Sequence, residues 1–169
     1  STIYILDETC LPQKVKYIKA RNYQQACNAI RQMKTRAVGQ VLLVFYIFLL
    51  AVRQNQGKKN LLPTLNKIAK AINSSRPTLP FKFITDMVLG WALGNEPLEK
   101  NILGFLEELK NKRIQQAEEA SKLMEDKDVI LTHCNVSGLM PLIAEFCHQE
   151  NKQISFFVTE TRPYLQGSR

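Results

Sequence analysis

The sequence predicts an α/β protein: an N-terminal β-hairpin plus a helical unit over residues 1–125, followed by the first βαβ part of a doubly wound parallel sheet over 126–169. Two β-type runs flank turn formers at the start, helix-period segments fill the middle, and a strand, helix, strand succession ends the chain. Its 169 residues, 45% hydrophobic, suffice for a core and exclude a disordered or fibrous chain; seven Gly and seven Pro exclude a collagen-like one.

Residues 2–6 and 14–19 read as the paired strands, joined by turn formers from Asp7 to Gln13. Asn22 is suited to cap a helix over 23–33, since its side-chain oxygen accepts a first-turn N–H. Ala37–Asn55 follows as a helix. Its stretch Val41-Leu-Leu-Val-Phe-Tyr-Ile-Phe-Leu-Leu-Ala-Val52, between Gln40 and Arg53, is twelve residues long, short of the about 20 that span a membrane. It is expected to be a central helix buried on every face.

Gln56 to Asn60 break this pattern, and Leu61, Leu65, Ile68 and Ile72 mark a third helix that stops before Arg76-Pro77. A fourth is expected near 82–93. A long fifth begins at Pro97, carries Leu98, Ile102, Phe105, Leu106 and Leu109 as its apolar stripe, and runs to about Met124. Val129 to Thr132 and Ile154 to Val158 then read as parallel strands around a helix over 138–150. Two parallel strands do not complete a doubly wound sheet, which typically has about five or six. The chain therefore reads as truncated, and its apolar strands as a template for association into a homodimer or with a complementary C-terminal fragment.

The net charge of +8 is uneven: residues 1–113 hold 18 basic against 7 acidic side chains, and residues 114–169 hold 5 against 8. Such a surface is either simply solvated or suited to a phosphate-bearing partner. Nucleic acid is disfavoured because no aromatic and glycine motif accompanies the charge. Cys10, Cys27, Cys134 and Cys147 form no CxxC pair, and no histidines stand at metal-ligand spacing, so no metal is expected. The first residues lack the basic and apolar regions of a signal peptide, which points to the cytoplasm and free thiols.

In open α/β sheets ligands gather at the carboxyl ends of strands. The loop His133-Cys-Asn-Val-Ser-Gly138 places Cys134 just before a helix, where a thiolate is stabilised and its pKa lowered. Cys134 is the best nucleophile or acid/base candidate; the alternative is an inert buried cysteine. The loop from Thr159 to Arg169 offers guanidinium, amide and hydroxyl donors suited to a phosphate or sugar, or else ordinary turn chemistry.

Ile130-Leu-Thr-His-Cys-Asn135 followed by Thr159-Glu-Thr-Arg-Pro-Tyr-Leu-Gln-Gly-Ser-Arg169 resembles the signature of the methylthioribose-1-phosphate isomerases, a methionine-salvage branch of the initiation factor 2B-like superfamily. Leu6-Asp-Glu-Thr-Cys-Leu-Pro12 is similar to that family's opening turn, Ala29 to Ala37 to its helix and Arg-Gly-Ala element, and Ser75-Arg-Pro-Thr78 to its Arg-Pro-Thr element. The resemblance implies an aldose-ketose isomerase for 5-methylthioribose 1-phosphate that needs no cofactor. It further implies that Cys134 handles protons together with an aspartate on a strand beyond Arg169, and that Arg36, Arg76 and Gln166 converge on the phosphate. Where the family reads Arg-Gly-Ala-Pro-Ala-Ile-Gly, this chain has Arg36-Ala-Val-Gly-Gln-Val-Leu42, so Ala37 adds a Cβ where the backbone would approach a ligand. A non-catalytic relative of the initiation factor 2B regulatory subunits is the alternative; the His-Cys-Asn string and the Gln166-Gly167 pair favour the enzyme branch.

Overall fold

The computed structural model describes residues 1–169 apart from Lys58, Lys59, Asn95, Asn135, Pro163, Tyr164, Gln166, Ser168 and Arg169. Strands β1 (Ile3–Leu6) and β2 (Tyr17–Ala20) form the antiparallel hairpin, with Ile3 opposite Ala20 and Leu6 opposite Tyr17. β2 starts later than the predicted residue 14, because the Lys14 N–H donates to the Cys10 carbonyl at 2.8 Å and so keeps Lys14 in the turn. Helices α1 (Tyr23–Arg31), α2 (Val38–Gln54), α3 (Leu62–Ser75), α4 (Phe81–Ala92) and α5 (Leu98–Lys122) follow. Strand β3 (Val129–His133), a short 3-10 turn at Val136–Gly138, α6 (Leu139–Gln149) and β4 (Ser155–Thr159) complete the order. β3 and β4 pair in parallel, Val129 opposite Ser155 and His133 opposite Thr159.

The chain divides into two compact units, Ser1–Leu106 and Glu107–Arg169, within α5 and well ahead of the sequence step at residue 125. In the second unit the C-terminal part of α5 contributes Ala117 and Ala120, and the segment just after it Met124, to the cluster around Ile143 and Cys147 of α6. That apolar stripe, continuous with the rest of the helix in sequence, hides the division.

In the first unit α1 is capped as its sequence predicts: the Asn22 side chain accepts the Gln25 N–H at 2.9 Å. α2 is the core, with Leu43, Val44, Phe45 and Ile47 to Ala51 buried and Tyr46 turned outward. Leu65, Ile68 and Ile72 of α3, Phe81 and Val88 of α4 and Ile102 of α5 are buried as well. Phe105 stacks at tilted angles on Phe45 and Trp91, with ring centroids 5.2 and 5.5 Å apart. No helix among the described residues is long and apolar enough to cross a membrane.

In the second unit Ile130 and Phe156 are sheltered, while Val129, Leu131 and Phe157, on the other face of the strand pair, are exposed. Strand alternation explains this: successive side chains point to opposite faces, and one face carries the contacts to α6.

Candidate functional site

Each unit holds part of the predicted site. In the first, the turn after β1 is stitched to the loop before α2. The Glu8 N–H donates to the Lys34 carbonyl at 2.7 Å, and Glu8 Oε1 accepts both the Thr35 hydroxyl at 2.7 Å and the Arg36 N–H at 3.0 Å. Beside it, Lys34 Nζ lies 3.2 Å from the Asp7 carboxylate. Burial of Asp7 opposes its ionisation, but hydrogen bonds from Thr9 and Lys34, together with the Lys34 charge, outweigh it and hold the carboxyl below the usual range.

Gly39 makes this stitch possible: a Cβ there would lie 2.1 Å from Thr35 Oγ1 and 3.2 Å from Glu8 Oε1. Ala37, at the start of α2, has φ 42° and ψ −116°, a conformation suited to glycine and strained for any residue with a Cβ. The added methyl thus burdens the backbone of this loop. The burden is present without any ligand.

Arg36 is buried, and Arg76, the residue that ends α3, is half-buried. Between them stands Gln40, fully buried: its Nε2 donates to the Thr35 carbonyl at 2.7 Å, and its Oε1 accepts Arg76 Nη1 at 3.0 Å. Met33 Sδ also accepts from Arg76 Nη1. Arg76 is therefore tied, through one side chain, to the residue just before Arg36, although 40 positions separate the two arginines in sequence. Gln166 lies outside the described residues.

In the second unit the flush parallel register puts the ends of β3 and β4 side by side. Cys134 follows β3 with φ 55°; the Val136 N–H, on a residue itself at φ 45°, donates to Cys134 Sγ at 3.4 Å. A β-branched residue at positive φ is strained, so this loop holds the sulfur against a backbone donor at a conformational cost. The predicted helix is present, α6 starting at Leu139 against the expected 138, and the 3-10 turn separates it from Cys134. Thr159 Oγ1 accepts the Cys134 N–H at 3.4 Å and lies 2.9 Å from His133 Nδ1, so one hydroxyl links both loop residues to β4. Gly167 folds back on the same strand end, where a Cβ would stand 2.0 Å from the Thr159 carbonyl oxygen.

All four thiols are free. Burial pushes the Cys27 thiol up to about 11, against the smaller opposing effect of Arg31, and burial likewise raises Cys147, against Lys152. Cys134 is half-buried. Clefts of about 200 Å³ in the first unit, one lined by Tyr4, Tyr46 and Arg53 and another by Tyr23, Gln54 and Ile68, contain none of the candidate residues.

Sequence reasoning singled out Cys134, Arg36, Arg76 and Gln166 and passed over Glu8, Gln40 and Thr159. The signal for Gln40 was visible: an amide at the head of an apolar helix. No local signal marked Glu8 or Thr159, whose roles come from contacts 27 and 26 residues away.

The initiation factor 2 subunit family matches residues 34–169. A methylthioribose-1-phosphate isomerase of Dehalococcoides mccartyi is 33% identical over 99% of this chain and 56% of its own length. One of Acetivibrio thermocellus is 30% identical over 98% of this chain and 54% of its own. The chain thus spans about half the length of these curated relatives. The crystal structure of translation initiation factor eIF-2B, subunit delta, from A. fulgidus superimposes with a TM-score of 0.77 at 28% identity, covering 98% of this chain and 54% of that one. The 5-methylthioribose 1-phosphate isomerase of Pyrococcus horikoshii shares the fold with a TM-score of 0.77 at 19% identity, over 99% of this chain and 52% of its own.

Proposed function

The chain belongs to the initiation factor 2 subunit family, and on that premise we propose that it is part of an aldose-ketose isomerase acting on 5-methylthioribose 1-phosphate in methionine salvage. The observation that carries this reading is the strand-end arrangement of the second unit, where Cys134 sits with a backbone N–H on its sulfur beside the end of a parallel neighbour. Ligands of open parallel sheets collect at such strand ends.

The isomerisation leaves composition unchanged: the ring bond from C1 to O4 breaks and O4 takes up a proton, a hydrogen is lost from C2 and one gained at C1, and the C2 hydroxyl gives up its proton as the carbonyl forms there. Cys134 supplies the proton-handling group, and the acid/base partner is an aspartate in the half of the relatives that this chain does not span. Arg36, Arg76 and Gln166 hold the phosphate dianion, for which guanidinium forks are matched donors. No cofactor or metal takes part. The active species is cytoplasmic and is a homodimer or an assembly with the complementary C-terminal portion.

A second reading is a non-catalytic regulatory or interaction subunit, favoured by the similarity to the eIF-2B delta subunit. An assay of substrate conversion separates the two. The 169-residue chain alone is expected to be inactive, and the assembly completed with the relatives' other half is expected to turn over, with Cys134→Ser abolishing turnover. An inactive completed assembly overturns the isomerase in favour of the subunit. Turnover by the chain as a monomer at about 1–1000 per second overturns the need for completion.

A further inference from the structure

Gln40 is a buried amide that the phosphate site, as proposed, does not use. Burying an amide is costly unless its polar atoms are paired, and here they are: Nε2 donates to the Thr35 carbonyl at 2.7 Å and approaches the Ile30 carbonyl at 3.5 Å, and Oε1 accepts Arg76 Nη1 at 3.0 Å. The amide has one permitted orientation. Turned over, it would aim its oxygen at two carbonyl oxygens and its NH2 group at a guanidinium, pairing acceptor with acceptor and donor with donor. The Thr35 end is itself fixed, because the Thr35 hydroxyl is held by Glu8 at 2.7 Å in a space that only a glycine at position 39 leaves open.

We propose that Gln40 is a positioning residue for Arg76: the rigid loop orients the amide, and the amide orients the guanidinium before any ligand arrives. Among the described residues the hydrogen bonds of Arg76 use Nη1, so the edge formed by Nε and Nη2 is the one presented to a phosphate. Ordering a long arginine side chain in advance removes an entropic cost from binding. The inference rests on the reading of Arg76 as a phosphate ligand, and the test below separates the two.

Inorganic phosphate is titrated calorimetrically into the 169-residue chain, Gln40→Met, Arg76→Ala and the double variant. Methionine keeps the volume of Gln40 and removes both polar partners. The wild-type chain is expected to bind phosphate, Arg76→Ala to bind at least about tenfold more weakly, and Gln40→Met about three- to tenfold more weakly. The double variant is expected to be no weaker than Arg76→Ala. If Gln40→Met binds like wild type while Arg76→Ala does not, positioning is overturned and the phosphate reading stands. An equal loss from Gln40→Met in the Arg76→Ala background means a merely structural role and also overturns it. If wild type does not bind, or Arg76→Ala binds as well as wild type, the phosphate reading falls and this inference with it. Nitrogen-15 NMR of the unmutated chain gives a readout independent of whether Gln40→Met folds: slow rotation of the Arg76 guanidinium without phosphate is expected, and fast averaging overturns the proposal.

Discussion

Phe45, Phe48 and Phe81 of the first unit are each no more than 1% exposed, whereas Phe157, in the middle of β4 in the second, is 66% exposed. The two units draw on similar apolar residues. The first packs α1, α3, α4, β1 and Phe105 of α5 around α2, so that from Leu43 to Ala51 only Tyr46 is exposed. The second has one helix pair for a sheet with two faces, and Leu131 is left 76% exposed beside Phe157. The lesson is that a parallel strand pair needs layers on both sides, and hydrophobic composition cannot substitute for them.

The contrast breaks most sharply under truncation of a core side chain. Phe48→Ala is expected to cost about 3–5 kcal/mol in chemical denaturation of the first unit, whereas Leu131→Ser, also removing a large apolar group, is expected to stay within about 0.5 kcal/mol and to reduce self-association on gel filtration. A large loss from Leu131→Ser means the face is covered in solution.

Thiol chemistry sharpens it next. Cys27 is expected to resist alkylation in the native protein at pH 8 while Cys134 reacts faster, read by mass spectrometry of labelled peptides; a Cys134 slower than Cys27 and Cys147 contradicts its placement. The same burial implies a pH effect. A thiol whose pKa is raised on folding keeps its proton when the unfolded chain has lost it, so stability is fully present below the unfolded value, about 9, and is lost as pH rises through the folded value of about 11. Across that window Cys27 is expected to account for a loss of order 2–3 kcal/mol, absent in Cys27→Ala.

The smallest effect concerns Ala37. Ala37→Gly is expected to raise stability by about 1 kcal/mol by relieving a strained positive φ. An unchanged or lowered midpoint of thermal unfolding contradicts the strain.

Helical periodicity made α1 to α4 legible, and Asn22 and Pro97 marked two starts, because these features act within a few residues of one another. The β3 and β4 runs and their parallel pairing were legible from spacing alone. The division within α5 was not, because Ile102 and Ala117 are both buried and lie on one unbroken helix, and sequence does not say which neighbour each one meets. Arg36 and Arg76 came from a resemblance. The link between them came from Gln40, whose partners at Thr35 and Arg76 are set by the loop between α1 and α2 and the end of α3.

The bare face of β3 and β4 also bears on biosynthesis. At synthesis rates of about 5–20 residues per second, the 106 residues of the first unit take roughly 5–20 s, and all the side chains of their core are made before β3. That unit is free to fold while the rest is still being translated. β3 then waits for the helix and the strand that follow it, with Val129 and Leu131 in water throughout, and even after β4 pairs with it their face stays uncovered. In an emerging chain the exposed Val129, Leu131 and Phe157 make this face, unlike the enclosed core of the first unit, a surface suited to chaperone binding until further layers cover it.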